Sequence, residues 1–243
     1  MADARQIPWT TISVEAVAVV MSILLAFAID AWWAERKEGE VEHIALLALR
    51  DDFMASREQL ATVLKSLEDA GTNYARFRSA TGAELIEHDI GTNRQILTAL
   101  VKNHTFDPVT ATLDALANDG RLALISDTNL LGQLSHWQRS LDNIEDMSFE
   151  LRTESVRVRR AMEQHGGPFA RWQQRVDDPV VLQQVDGATM ANMRRDADFM
   201  GTTVSHQYAL NIYLHSLYKL AATLDSIVTS LDQAVTDRLV WPQ

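Results

Sequence analysis

The feature that most constrains this chain is the run VAVVMSILLAFAI at residues 17–29, with Glu15 before it and Asp30 directly after it. Tryptophans frame the wider stretch, Trp9 on one side and Trp32 with Trp33 on the other. Read as a helix, Trp9 to Trp33 measures about 36 Å at about 1.5 Å per residue. A bilayer's hydrocarbon core is about 30 Å thick, so the length suits one membrane span. Indole rings favour the headgroup region, and this spacing puts one set at each interface. Arg36 and Lys37 then mark the exit into water. The acids fit as interfacial residues near the ends of the span, where a charge costs far less than at midplane. They lie about 60° apart on the helix, so neighbouring copies would present them on a shared face. The other readings of the run are a signal peptide and a buried core helix. A signal peptide is disfavoured because the tail MADARQIP carries only Arg5 and bulky Trp32 and Trp33 occupy the cleavage region.

Downstream, few residues can break a helix. The chain of 243 residues has 10 Gly and 5 Pro, which argues for long helices over many short strands. Heptad spacing supports this. Leu46, Leu49, Phe53, Ser56, Leu60, Val63, Leu67, Ala70, Tyr74 and Phe77 form one seam with a single polar position. A second seam runs from Leu130 through Trp137 and Ser155 to Met162, and a third from Leu210 through Tyr213 to Ala234. The third is amphipathic and is not a second span. The expected fold is all-α: one N-terminal transmembrane helix continuing into a long amphipathic helix, packed in an antiparallel helical bundle.

The expected organisation is a tail at 1–8, a transmembrane helix at 9–33 and a soluble body at 34–243. Within the body, 34–81 is a stalk helix, 82–125 short helices and loops, and 126–165 a long helix. Loops and short helices follow at 166–201, then a long helix at 202–239. Asp107 and Pro108 read as N-cap and first-turn proline, Asn118-Asp119-Gly120 as a helix stop, and Ser126 or Asp127 as the next cap. The short apolar RLALI, residues 121–125, reads as a buried connection.

The stretch Glu15 to Lys37 resembles the opening of a family of single-span bacterial membrane proteins of unassigned function. In that family a Glu starts the span, which runs Gly-Ile-Leu-Ile-Ala-Leu-Gln-Ile and is followed by Asn-Asn-Trp-Asn-Glu-Glu-Arg-Lys. This chain has Glu15 in the matching place, then Ser22 to Ile29, then Asp30-Ala31-Trp32-Trp33-Ala34-Glu35-Arg36-Lys37, without a gap. It departs at Ser22, Ala28, Asp30, Ala31, Trp33 and Ala34. A weaker echo covers residues 106–134. The resemblance implies a membrane-anchored helical protein of the bacterial inner membrane and no particular activity. The family's basic N-tail implies a body in the periplasm. The positive-inside count, with Arg36, Lys37 and Arg50 after the span against Arg5 before it, leans to the cytoplasm. The periplasm is the reading adopted, with the cytoplasmic side as the alternative.

Few residue patterns in the chain carry chemistry. Cysteine is absent, so there is no thiol nucleophile and no Cys-type zinc site. The net charge of −11 argues against nucleic acid as a partner. His-Glu-x-x-His, phosphate-loop and Gly-x-Ser-x-Gly patterns are missing. Glu40-Val-Glu-His43 has the Glu-x-x-His spacing of di-iron bundles but no second copy, and reads as a solvated charged turn. His206 and His215 lie on opposite faces of the last helix. Arg157, Arg159, Arg160, Arg171 and Arg175, with Trp172, form a basic and aromatic cluster that suits an anion or partner contact, beside the plainer reading of a solvated helix end. The membrane-interface set is Trp9, Glu15, Asp30, Trp32, Trp33, Arg36 and Lys37. The functional expectation is a non-enzymatic, membrane-anchored protein acting through protein–protein contacts, as a scaffold or accessory subunit. No cofactor or metal is assigned. A homo-oligomer is compatible with the seams. The alternatives are a ligand-binding sensor module signalling through a partner and, behind it, an enzyme.

Overall fold

The computed structural model describes residues 9–101, 105–165 and 187–239, with side chains from residue 19 onward except 90, 94, 238 and 239. Among these residues the chain is all-α. Helix α1 spans Trp9–Ser79, 71 residues, or about 106 Å at about 1.5 Å per residue. No proline interrupts it, and its two glycines do not break it. Then follow α2 (Gly82–Glu87), α3 (Ile90–Val101), α4 (Ala111–Asn118), a 3-10 turn (Arg121–Leu124), α5 (Thr128–Gln164), α6 (Gly187–Arg195) and α7 (Ala197–Leu239).

Cross-chain contacts set the topology. Arg57 pairs with Asp225 and Arg50 with Asp232, so a step of seven residues down α1 matches seven up α7. The two helices are therefore antiparallel, and Leu239 falls level with His43. Glu42 meets Ser126 and Phe53 meets Trp137, so α5 runs parallel to α1 at a constant offset. Between them the chain descends along α1: the Val109 N–H donates to Ser56 Oγ and the Thr112 N–H to Asp52 Oδ2. The result is an up-down-up-down bundle whose second column is α3, a linker and α4.

The three seams form the core. Leu49, Leu67, Phe77, Leu130, Leu210 and Leu217 are fully buried. Trp137 sits between Phe53 and Phe106, with ring centroids 5.3 and 6.5 Å away. The polar seam positions are used across the bundle. Ser56 takes the Val109 N–H, and Ser155 takes His206.

Local chemistry explains most element ends. Asp127 caps α5, its Oδ1 accepting from the N–H groups of Asn129 and Leu130 at 2.8 and 3.2 Å. Gly120 adopts φ +67° past the end of α4, where a β-carbon is disfavoured. Three local expectations are corrected. Helix α4 begins at Ala111, not at Pro108, because Ser56 and Asp52 hold the 109–112 backbone against α1. Residues 121–124 form a 3-10 turn that buries only the following Ile125. Helix α2 was not anticipated. It is closed by a capping box in which the Thr81 hydroxyl takes the Glu84 N–H while Glu84 takes the Thr81 N–H.

Candidate functional site

Two features stand out from the packed bundle, both on α1. The first is the N-terminal part of that helix. Because α7 reaches the level of His43 at Leu239 and α5 starts at Thr128, no element among the described residues runs beside α1 below Glu40. From Val19 to Ile29 the eight large apolar side chains are 47–66% exposed. Eleven residues at about 100° each make about three turns, so every face of the helix is apolar. That is unlike the bundle seams, where apolar residues mark one stripe. A contiguous exposed apolar patch of this kind marks an interaction surface.

The expected interface residues close this region. Trp32 and Trp33 are exposed and meet edge to face with centroids 5.4 Å apart. The Arg36 guanidinium lies 5.9 Å from the Trp32 ring centre and 3.7 Å from Glu40. Asp30 and Lys37 are exposed on the same helix. Trp9 and Glu15 fall within α1, but their side chains lie outside the described residues. Among the described residues no helix is long and apolar enough to cross a membrane. Counted from Val19, eleven residues precede Asp30, against roughly 20 for a span.

The second feature is a cleft of about 1200 Å³ at the foot of the bundle, where α1 leaves its partners. Its floor includes Leu46, Ile125 and Ala234, and Trp32 and Gly39 stand at its lower wall. Glu35, Glu40, Glu42, Asp127 and Asp237 line it against a single guanidinium, Arg36. Glu42 corrects the reading of Glu40–His43 as a solvated turn. It is only 4% exposed, and its Oε1 accepts from the Ser126 N–H at 2.7 Å and the Ser126 hydroxyl at 2.8 Å. This carboxylate fastens the start of the α5 column to α1 where the stalk emerges.

Half of the basic cluster, Arg157, Arg159 and Arg160, falls within the described residues. Arg157 forms an ion pair with Glu154, which is itself buried. Arg159 is half-buried and Arg160 exposed on α5. Arg171, Trp172 and Arg175 lie outside the described residues, as does the Gly166-Gly167-Pro168 breaker.

A buried polar chain was missed by sequence reasoning. His206, Tyr74 and Ser155 are fully buried. Ser155 Oγ donates to the Leu151 carbonyl at 2.9 Å and therefore accepts from His206 Nε2, 2.8 Å away. Nδ1 is then the acceptor for the Tyr74 hydroxyl. Burial pushes the Tyr74 phenol far above its ordinary value. A serine beside a histidine has the composition of a nucleophile–base pair. Here the hydroxyl is committed to its own helix and sealed from solvent, so the arrangement joins three helices and offers no approach to a substrate. The signal was present: His206 lies four residues before Leu210 on the same stripe. Among the described residues no group of three or more His, Asp or Glu side chains is placed to hold a metal.

Comparison of the chain with protein-family models, with curated proteins and with solved structures gives no match.

Proposed function

We propose that this chain is a single-span, membrane-anchored helical protein without catalytic activity, acting through protein–protein contacts as a scaffold or accessory subunit. The observation that carries the reading is the apolar surface of α1 between Val19 and Ile29, open on every face. A partner helix would cover one stripe of it, whereas lipid covers all of it. Since α1 begins at Trp9, the apolar residues before Val19 extend the same helix. The Trp32–Trp33 pair beneath Arg36 supports a boundary there, and the Glu15–Lys37 resemblance agrees. The body then stands on a short stalk, Trp33 to Glu42, of roughly 13 Å. Its acidic character keeps it off anionic headgroups. The bacterial inner membrane, with the body in the periplasm, is the location that follows from the family resemblance.

The test is alkaline extraction of membranes from cells expressing the full chain, paired with a reporter fused after Gln243. The anchor predicts that the chain stays in the pellet until detergent is added. Release into the alkaline supernatant would defeat it. Reporter activity on the cytoplasmic side would reverse the proposed topology and leave the anchor standing.

A further inference from the structure

The cleft at the foot of the bundle lies on a continuation of the α1 seam. Stepping back from Leu46 by the same heptad rule gives Glu42, Gly39, Glu35 and Trp32. All four line the cleft. Above this point the seam is covered by α5, α7 and the descending column. Below it none of those elements, among the described residues, runs beside α1, and its face continues with Gly39 at its centre, where a second backbone can come close. The floor of Leu46, Ile125 and Ala234 offers apolar contact, and the rim offers the exposed carboxylates of Glu35, Glu40 and Asp237 against one guanidinium.

From this geometry we infer that the cleft receives a cationic amphipathic helix of a partner protein, with its apolar face on the Trp32–Leu46 side and its basic residues against Glu35, Glu40 and Asp237. Charge selects this occupant. A second copy of the chain would bring the same carboxylates to the contact, and a copy anchored in the same membrane would set like against like at the same height. A basic segment instead finds complementary charge. The cleft sits directly above the tryptophan pair, with Trp32 in its lining. The inference rests on reading the chain as an anchored contact protein and names the chemistry of its partner.

The experiment uses the full chain in a neutral detergent, with empty micelles as the blank. The probes are two labelled synthetic helices, one with leucine opposite lysine and the other with leucine opposite glutamate. The lysine helix is expected to bind and the glutamate helix to fail. The triple variant Glu35→Gln, Glu40→Gln, Asp237→Asn should weaken binding about tenfold, since three exposed ion pairs are lost. Removing three exposed acids elsewhere, with Asp142→Asn, Glu145→Gln and Asp146→Asn on α5, should leave binding unchanged. Equal losses in both triple variants would reduce the effect to net charge and overturn the inference. So would equal binding of the two helices, or no binding. Displacement of the lysine helix by short-chain phosphatidylethanolamine would assign the cleft to a lipid amine and also overturn it. All substituted positions are exposed, and thermal melting checks that each variant is folded. Alkaline extraction of the cleft variant reads the anchor separately, so loss of peptide binding with retained anchoring counts against the cleft alone.

Discussion

Ser155 on α5 holds the ring of His206 on α7, with Oγ 2.8 Å from Nε2, and the other ring nitrogen meets Tyr74 on α1. One imidazole thus links the three long helices in an otherwise apolar layer. Replacing His206 with alanine leaves two buried hydroxyls short of a partner and opens a cavity. The expected loss is about 3 kcal/mol, measured by chemical denaturation of the full chain in detergent. Tyr74→Phe should cost less, about 1–2 kcal/mol, because only one partner is lost. Equal stability of His206→Ala and the parent would show that the layer is held by apolar packing alone.

Glu42 tests the foot of the bundle. Its Oε1 accepts twice from Ser126, and bonds to an ionised acceptor are worth about 1.5–3 kcal/mol. Glu42→Ala should destabilise by about 2 kcal/mol. Glu42→Gln keeps an acceptor oxygen and should recover a good part of that. Faster amide exchange around Ile125 and Ser126 in the alanine variant is the accompanying readout.

Two glycines should respond with opposite signs. A β-carbon at Gly71 meets nothing within 4 Å, and the residue sits inside α1. Gly71→Ala should therefore stabilise by about 0.5–1 kcal/mol through helix propensity and a less free unfolded chain. A β-carbon at Gly187 would fall inside the backbone atoms of Leu85 and Ile86. Gly187→Ala should destabilise by about 1–3 kcal/mol by forcing α6 away from α2. Thermal melts of the two variants give the comparison.

The pH dependence follows from groups on the body. Hydrogen bonds from Thr81 hold Glu84 below its ordinary value of 4.5, and those from Thr92 hold Asp89 below 3.8. The Phe199 N–H does the same for Asp196. Each carboxylate is more acidic folded than unfolded. Its contribution is present above the ordinary value and fades as pH falls through the lower folded one. At the alkaline end, burial raises Tyr74 and Tyr213, and Glu68 raises Tyr218, all above the ordinary 10.0. Their contribution is full below 10.0 and declines above it, as the unfolded phenols ionise first. Stability should form a plateau between these limits. Thr92→Ala should blunt the acid limb and Tyr74→Phe the alkaline limb in melts recorded across pH.

The apolar part of α1 has its own test. Leu25→Arg places a charge in the middle of the proposed span, at a cost of about 3 kcal/mol on an insertion scale. Membrane retention should fall sharply. Val204→Arg, at an exposed apolar residue of the body, should not alter it.

The seams were legible because burial repeats every three to four residues, a local property of the chain. Leu49, Leu67, Leu134 and Leu217 face the core as their spacing requires. The partners of polar residues are a long-range property and were not legible. Glu42 looked solvated because its neighbours are charged, yet it occupies a seam position and meets Ser126, 84 residues away. Ser56 looked like a flaw in its seam and is the acceptor that tethers the linker. The start of α4 was misplaced for the same reason. Pro108 suits a first turn by local rules, but Ser56 and Asp52 on α1 claim the following N–H groups. The capping box Thr81-x-x-Glu84 was readable in the sequence. For the cleft, the seam itself could be extended backwards by rule. What could not be read was where α7 and α5 stop covering it.

Helix α1 is continuous from Trp9 to Ser79, with no proline along it. A joint between bundle and stalk would let the body swing freely. An unbroken helix instead behaves as a shaft, passing twist and thrust along its length. One residue of rotation at the N-terminal end, about 100°, would carry the whole body through the same azimuth. With the proposed anchor, the helix that positions the acidic cleft also fixes the compass direction in which it faces across the membrane plane.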